Sequence, residues 1–292
     1  MEKDNEKVTI ILPAYNEEDA LQELLPELKQ LYPDYKILVI NDGSTDMTVE
    51  TCKKFSVNVI SHPYKMGNGA SIKTGARIAQ SEIIVFMDAD NQHPAKDVKS
   101  LIDKMGNGYD MVVGARHRST HASQAKRFGN FFYNKFSSIM TGNEIEDLTS
   151  GFRAVKTDVF RKFLYLLPNG FSYPTTSTMA FFRSGYAVAY VPIHADQRST
   201  NTSSNIKILK DGIRFLIIIL KIGALFSPMR LFLPISAALF MTGIVYYGYT
   251  FITVNRFTNM SALLFISSLM VFLIGILSEQ ISSLHYRDSS DQ

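Results

Sequence analysis

The strongest indication of the fold is the segment Ile83-Ile-Val-Phe-Met-Asp-Ala-Asp-Asn-Gln-His-Pro94. Its first five residues are apolar and three of them are β-branched, which is typical of a strand buried on both faces of a parallel sheet. Asp88, Asp90 and Gln92 follow the strand directly. Ligands of open parallel sheets bind just beyond the carboxyl ends of the strands, and carboxylate and amide oxygens suit Mg²⁺ or Mn²⁺. Because Asp-x-Asp pairs also occur in ordinary turns, the interpretation needs support from the rest of the chain.

The composition excludes several kinds of protein. The 30 basic and 27 acidic residues nearly balance, which gives no sign of a nucleic-acid-binding surface. The single cysteine, Cys52, excludes an internal disulfide and a cysteine metal cluster. The charged residues 1–7 are not followed by an apolar run, so we expect no signal peptide.

Strands and helices alternate through the first half of the chain. Strands are predicted at 7–12, 36–40, 57–60, 83–87 and 111–114, with helical patterns between them. This alternation predicts right-handed βαβ units and an α/β fold with a mostly parallel sheet. Beyond it we predict a short strand after Gly151, a helix at 158–167 and a strand at 186–193.

The polar residues that follow the predicted strands should meet along one edge of the sheet. Tyr15 and Glu17 follow the first strand, Asp42 the second and Arg116 the fifth. The carboxylates can accept hydrogen bonds from ribose or base groups, and the glycines of Gly67-Asn-Gly69 let the backbone approach a ligand. Neither a Walker loop nor a dinucleotide-binding glycine motif is present. A nucleotide with metal-bridged phosphates but no P-loop indicates a sugar nucleotide.

The C-terminal third is apolar. Residues 205–227 combine four basic residues with Ile, Leu and Phe, which is typical of an amphipathic helix in a membrane interface. Two predicted spans, at about 231–254 and 260–280, are each long enough to cross a bilayer core of roughly 30 Å, and residues 231–254 and 260–278 carry no charge. Positive charges flank this hairpin on the side of the chain termini, so we expect the catalytic domain and both termini in the cytoplasm.

The predicted domain organisation has four parts. They are a catalytic domain at 1–204, the interfacial helix at 205–227, a transmembrane hairpin at 228–284 and a cytoplasmic tail at 285–292.

Five motifs occur in a fixed order: Pro13-Ala-Tyr-Asn-Glu17, Asn41-Asp-Gly-Ser-Thr-Asp46, Gly67-Asn-Gly-Ala70, Asp88-Ala-Asp-Asn-Gln-His-Pro94 and Asp147-Leu-Thr-Ser-Gly-Phe-Arg153. Together they resemble family 2 glycosyltransferases, and more narrowly the branch that uses polyprenyl phosphate, which includes dolichol-phosphate mannose synthase and undecaprenyl-phosphate glucosyltransferases. The resemblance covers roughly residues 7–207, and the hairpin fits the bacterial and archaeal members.

The resemblance implies a fold, a reaction and partners. The fold is GT-A, and the reaction is an inverting, Mg²⁺- or Mn²⁺-dependent transfer of a sugar from a UDP- or GDP-linked donor to a polyprenyl phosphate. It also implies a prokaryotic cell membrane and homo-oligomers assembled through the membrane part.

The resemblance further implies roles for individual residues. Positions that match the nucleotide-sugar site are Pro13, Tyr15, Glu17, Ile40, Asp42, Ser71, Asp88, Ala89, Asp90, Arg116, Arg198 and Lys207. Catalytic positions are Asp88, Asp90, Arg116 and Asp147; metal positions are Asp90 and Gln92; acceptor-phosphate positions are Arg116 and Arg127. The loop at Arg198 lacks the glycine and lysine of the family's Arg-x-x-Gly-x-Ser-Lys pattern, which leaves Lys207 as the substitute lysine.

Other interpretations remain open at this stage. Asp147 also fits a helix cap or a turn, and His93 fits a turn better than a metal ligand. A processive polysaccharide synthase would use the same donors, but it needs more spans and a Gln-x-x-Arg-Trp motif, and this chain has no tryptophan. A non-catalytic, membrane-anchored nucleotide-sugar-binding protein is the third alternative.

Overall fold

The computed structural model describes residues 7–116, 124–170, 172–193, 217, 220–221, 223–225 and 227–290, without the side chains of 124–130, 132 and 284–290. The chain forms two compact units. The first comprises residues 1–134 and 144–206, and the second comprises 135–143 and 207–292.

The first unit is built on a seven-stranded sheet. Its strands are β1 (Val8–Ala14), β2 (Lys36–Asn41), β3 (Asn58–Ser61), β4 (Ile83–Phe86), β5 (Met111–Arg116), β6 (Arg153–Lys156) and β7 (Val188–Ile193). Their order is β3-β2-β1-β4-β6-β5-β7, and only β6 runs antiparallel to its neighbours. The predicted mostly parallel α/β sheet is confirmed. Ile84, Val85 and Phe86 of β4 are fully buried, as their unbroken apolar run predicts.

Seven described helices belong to this sheet or connect to it: α1 (Glu18–Leu31), α2 (Thr48–Lys54), α3 (Asn68–Ile78), α4 (Asp97–Met105), α5 (Gln124–Thr141), α6 (Thr157–Arg161) and α7 (Tyr173–Arg183). In α1 the leucines at 21, 24, 25 and 28 form one buried face, at the spacing that puts them on one side of a helix. These leucines join the core that covers β1 and β2.

The prediction of a helix at 158–167 is wrong beyond Arg161. Beyond Arg161 several backbone N–H groups donate to the carbonyl three residues earlier instead of four. Examples are Phe163 N to Phe160 O (3.1 Å) and Leu164 N to Arg161 O (3.2 Å). This tighter winding brings Phe163, Leu164 and Leu167 into buried positions.

The antiparallel strand β6 determines which residues meet. It lies between β4 and β5, which both run in the parallel direction. The carboxyl ends of β1, β2, β4 and β5 therefore share one edge with the amino end of β6. The turn at 147–151, which precedes β6, is brought to the same edge as Asp88 and Arg116.

The second unit contains two long apolar helices, α8 (Pro228–Val254) and α9 (Asn259–Ser290). Residues 228–254 and 259–283 are long and apolar enough to cross a membrane, and the predicted spans lie inside them. Ser236 and Ser268 join the two helices, since each hydroxyl donates to the other's carbonyl at 2.9 Å. The predicted interfacial helix at 205–227 lies mostly outside the described residues.

The last turn of α5 also belongs to the second unit and is capped from the start of α8. Arg230 Nη1 donates to the carbonyls of Ile139 (3.0 Å) and Met140 (3.1 Å). Ser227 Oγ donates to the Met140 carbonyl at 2.7 Å. These donors satisfy carbonyls that have no partner within the helix.

Candidate active site

Asp42, the first residue after β2, is buried, and its carboxylate is engaged by the chain itself. Oδ1 accepts from the Met66 N–H (2.8 Å) and lies 2.9 Å from His62 Nδ1, while Oδ2 accepts from the Gly67 N–H (2.8 Å). The carboxylate thus fixes the loop between β3 and α3. Each oxygen of the carboxylate accepts from one backbone N–H, and Oδ2 has the fewer neighbours of the two.

The glycines of the 67–69 motif approach another loop of the protein. A Cβ built at Gly69 would lie 2.0 Å from the Pro168 carbonyl oxygen, and Gly67 has a φ of +105°. The Ala70 N–H donates to the Asn169 carbonyl (2.8 Å). The motif therefore lets the start of α3 pack against residues 168–170. Ser71, in the next position of α3, is fully buried.

The turn after β1 is tied to the turn after β2. Asn16 adopts a left-handed conformation, its N–H donates to Ser44 Oγ (2.9 Å), and its Oδ1 accepts from the Thr45 N–H (2.8 Å). Tyr15 remains exposed beside this junction, with Lys65 Nζ 3.5 Å from the centre of its ring. Pro13 and Glu17 are half-buried and Ile40 is buried.

Asp88, Asp90 and Gln92 lie in the turn after β4, and all three are half-buried. A left-handed Asn91 shapes this turn, and the Gln92 N–H donates to Asp90 Oδ1 (3.3 Å). Ala89, between the two aspartates, is buried.

The side-chain oxygens of this turn fit a divalent cation that is shared with a bound ligand. The described residues contain no group of three or more His, Cys, Asp or Glu side chains that would enclose an ion by themselves. The remaining ligands would come from water or from the phosphates of a substrate.

Arg116 and Asp147 form the main ion pair of the site. Arg116 Nε donates to Asp147 Oδ2 (2.8 Å) and Nη2 donates to Oδ1 (3.0 Å), a two-pronged arrangement. Nη2 also donates to Thr149 Oγ1 (2.6 Å). Asp147 accepts in addition from the backbone N–H groups of Thr149 and Ser150. Among the residues that the structure describes, these bonds engage Nε and Nη2 of Arg116 and none involves Nη1.

The ion pair keeps both partners charged despite their burial. Burial lowers the pKa of Arg116, but the hydrogen bonds and charge of Asp147 outweigh it and raise the pKa overall. Burial raises the pKa of Asp147, and the Arg116 guanidinium outweighs it, so the pKa of this carboxyl is lowered. A fixed positive charge therefore lies at the carboxyl end of β5.

Gly151 lies against the carboxylate of Asp88. A Cβ built there would lie 3.1 Å from Asp88 Oδ2 and 3.3 Å from the Tyr173 hydroxyl oxygen. The Tyr173 hydroxyl itself donates to the Gly151 carbonyl (2.9 Å). The glycine therefore allows the 147–151 turn to pack against the first aspartate of the motif.

His93 is buried beneath the same edge. Its ring stacks on Phe152, with ring centres 5.0 Å apart and planes at 13°. Burial lowers its pKa to about 4, so the ring is neutral at physiological pH. The buried, stacked ring of His93 therefore packs beneath the turn that carries Asp90 and Gln92.

The structure thus brings the strand-end residues together, with some predicted residues left undescribed. Arg198 and Lys207 lie outside the described residues, and for Arg127 only the backbone of α5 is described. Sequence reasoning missed Thr149 and Tyr173 as parts of the site. The Asp147-x-Thr-Ser spacing is a signal for the first, since an aspartate commonly accepts from N–H groups two and three residues later.

Comparison with known proteins places this geometry in a family. The profile described as Glycosyl transferase family 2 matches residues 9–164, more than half of the chain. The chain belongs to glycosyl transferase family 2. A second profile, described as GtrB C-terminal hairpin, matches residues 227–284, which agrees with the predicted hairpin.

Individual relatives are similar over most of the chain. The putative glycosyltransferase CsbB of Bacillus subtilis is 27% identical over 96% of this chain and 88% of its own length. The polyprenol monophosphomannose synthase of Mycolicibacterium smegmatis is 27% identical over 68% of this chain and 80% of its own.

The fold has a solved counterpart in glucosyl-3-phosphoglycerate synthase from Mycobacterium tuberculosis, in complex with Mn²⁺, UDP and glucosyl-3-phosphoglycerate. It aligns with a TM-score of 0.60 and 17% identity, over 73% of this chain and 79% of its own. The GT-A fold prediction is confirmed, and the chain is a glycosyltransferase related to polyprenyl-phosphate sugar transferases.

Proposed function

We propose that the chain transfers a sugar from a UDP- or GDP-linked donor to a polyprenyl phosphate, with inversion at the anomeric carbon. The observation that carries the proposal is the single sheet edge where the half-buried oxygens of Asp88, Asp90 and Gln92 accompany a fixed Arg116. Two apolar helices at the end of the same chain would hold the protein at a membrane, where a lipid acceptor resides. The names of related proteins support the acceptor class.

The proposed donor site lies along the carboxyl ends of β1, β2 and β4. Tyr15 and Pro13 would contact the base, and Glu17 and the remaining acceptor capacity of Asp42 would contact base or ribose groups. The buried Ile40, Ser71 and Ala89 would border this site. Asp90 and Gln92, with Asp88 beside them, would hold Mg²⁺ or Mn²⁺, which when bound neutralises charge on the donor diphosphate.

The reaction itself is a single displacement. A phosphate oxygen of the acceptor attacks the anomeric carbon, the bond to the diphosphate oxygen breaks, and its electron pair leaves with the nucleoside diphosphate. The acceptor is already an anion at neutral pH, so no strong base is needed. The chain must instead position the two anions and offset their charge.

The hydrogen bonds of the Arg116 guanidinium support this role. Asp147 and Thr149 occupy Nε and Nη2, so Nη1 would contact a phosphate while the ion pair fixes its direction. Arg127 would bind the acceptor phosphate as well, and Arg198 and Lys207 would contact the donor. We also propose that the catalytic unit and both termini are cytoplasmic, and that copies assemble through the membrane part.

The test is donor turnover by the full chain purified in detergent, with Mn²⁺ or Mg²⁺, a short polyprenyl phosphate and a panel of UDP- and GDP-sugars. We expect one donor to yield a metal-dependent polyprenyl-phosphate sugar of inverted configuration. The unphosphorylated polyprenol serves as the acceptor control and should give no product. Transfer only to a sugar acceptor, or no turnover with any donor, would contradict the proposal.

A further inference from the structure

Arg153, the first residue of β6, is a fully buried arginine in the middle of the sheet. The strand register places it between Phe86 of β4 and Val113 of β5. Its guanidinium reaches the first turns of α7, where Nη1 donates to the Pro174 carbonyl (3.1 Å) and to Ser177 Oγ (2.7 Å). Arginines are rarely buried completely unless they are paired.

This guanidinium has no ion-pair partner within the described part of the chain. Its other hydrogen bonds go to Thr178 Oγ1 (3.1 Å), to the Ser150 carbonyl and weakly to the sulfur of Met111, while Nε has no partner there. Its Cζ lies 5.6 Å from the centre of the Tyr173 ring. A buried charge without an ion-pair partner destabilises the folded state. A purely structural role therefore does not explain an arginine at this position.

Two carboxylates of the site also act on Arg153. Burial lowers its pKa, while Tyr173 and Tyr190, and then the carboxylates of Asp147 and Asp88, act in the opposite direction and favour the cation. The two tyrosines therefore act on the guanidinium most strongly, and the two aspartates add to their effect.

The groups that Arg153 holds are the groups that border Asp88. Both backbone polar groups of Ser150 are fixed, because Arg153 donates to its carbonyl and its N–H donates to Asp147 Oδ1 (3.1 Å). Gly151 follows directly and lies against Asp88, and Tyr173 joins the two through its hydrogen bond to the Gly151 carbonyl (2.9 Å).

We propose that Arg153 is a positioning residue for Asp88. Its guanidinium fixes the Ser150–Gly151 turn and the Tyr173 ring, and these surfaces hold the Asp88 carboxylate in the orientation that binding of metal and nucleotide requires. The proposal rests on the proposed function, since it assigns Asp88 to the donor site. It extends the site to residues that never touch the substrate.

The matched control is Arg161, a second arginine that binds backbone carbonyls. It donates to the carbonyls of Ala76 (2.8 Å), Arg77 (3.3 Å) and Ala79 at the end of α3. If loss of an arginine-carbonyl clamp acts only through stability, Arg161→Lys and Arg153→Lys should behave alike.

The experiment measures Mn²⁺ binding by electron paramagnetic resonance, with UDP and with GDP, together with sugar transfer. It compares the full-length wild type with Arg153→Lys, Arg161→Lys and Tyr173→Phe. We expect Arg153→Lys to weaken nucleotide-dependent Mn²⁺ binding and transfer by about 10- to 100-fold, the range typical of groups that orient metal ligands. Tyr173→Phe should weaken both by about 10-fold. Arg161→Lys should lower only the melting temperature.

The outcomes separate this proposal from the proposed function. If the wild type binds Mn²⁺ with a nucleotide but transfers no sugar, the function fails and the binding data decide the role of Arg153. Wild-type-like binding in folded Arg153→Lys, or equal losses in Arg161→Lys, would overturn the positioning role. If Arg153→Lys does not fold, the Tyr173→Phe variant provides the test. Unchanged Mn²⁺ binding by Tyr173→Phe would then overturn the proposal. Absence of Mn²⁺ binding in the wild type would overturn both proposals.

Discussion

Asp42 and Asp90 both follow a parallel strand at the same sheet edge, yet the structure uses their carboxylates differently. Asp42 is buried and accepts from two backbone N–H groups, with a histidine nitrogen beside it. Asp90 is half-buried in a short turn with Asp88 and Gln92. The first carboxylate organises a loop of the protein, and we assign the second, which accepts from the Gln92 N–H, to the proposed metal site. On that proposal, the same residue type at equivalent strand ends serves the scaffold in one case and the chemistry in the other.

The largest expected effect comes from Asp90→Asn. Removing one negative charge from the oxygen cluster should lower sugar transfer by about 10³-fold, because charge stabilisation by a bound cation is worth several kcal/mol. The melting temperature should stay close to that of the wild type. Asp103→Asn, which alters only an exposed pair with Lys99 on α4, is the control and should transfer sugar normally. Near-normal sugar transfer by Asp90→Asn would contradict the assignment of Asp90 as a metal ligand.

Gly151→Ala should have the next largest effect. The added methyl group would stand 3.1 Å from Asp88 Oδ2, so the carboxylate or the turn must shift. We expect transfer to fall by about 100-fold, the loss associated with small misplacements of reacting groups. The control is Gly248→Ala in α8, where no atom lies within 4 Å of the added Cβ. Unchanged transfer by Gly151→Ala would show that the contact with Asp88 is unimportant.

Asp147→Asn tests the ion pair through pH. Arg116 lowers the pKa of Asp147, so the stabilisation by this carboxylate is present above its unfolded value of about 4 and is lost as pH falls through its lower folded value. The wild-type melting temperature should therefore drop more steeply below pH 4 than that of Asp147→Asn. Transfer at neutral pH should fall by about 10-fold, because Arg116 loses its fixed direction. Parallel pH profiles of the two proteins would contradict the pairing.

Asp42→Asn should have the smallest effect on chemistry. The amide group would place an N–H opposite the N–H of Met66 or Gly67, which costs about 2 kcal/mol of stability. We expect a lower melting temperature and a donor KM raised by about 5-fold, as for loss of one hydrogen bond, with little change in kcat. A decrease in kcat as large as that of Asp90→Asn would contradict the different roles that we assign to Asp42 and Asp90.

The sequence predicts β4 and its acidic turn well, because an unbroken apolar run followed by oxygen-bearing residues has few other interpretations. It does not reveal that β6 is antiparallel, since a four-residue strand looks the same in either direction. Helix α7 also escapes prediction, because every residue of Tyr173–Phe181 is buried and its threonines and serines leave no apolar stripe.

The sequence also does not predict which groups the charged side chains contact. Arg116 and Asp147 are 31 positions apart, and Asp42 meets Met66 and Gly67 across a loop. Such pairings follow from tertiary packing, which local patterns do not encode. Sequence reasoning therefore finds which aspartates lie at the edge, and the structure distinguishes those that hold the protein together.

The most direct test of this distinction is calorimetric titration of Mn²⁺ into the wild type, Asp90→Asn and Asp42→Asn, each with saturating UDP or GDP. We expect the wild type to bind one ion in the presence of one nucleotide, Asp42→Asn to bind it more weakly, and Asp90→Asn to show no binding. Wild-type binding by Asp90→Asn, or complete loss in folded Asp42→Asn, would contradict the assignment of the metal site to the end of β4.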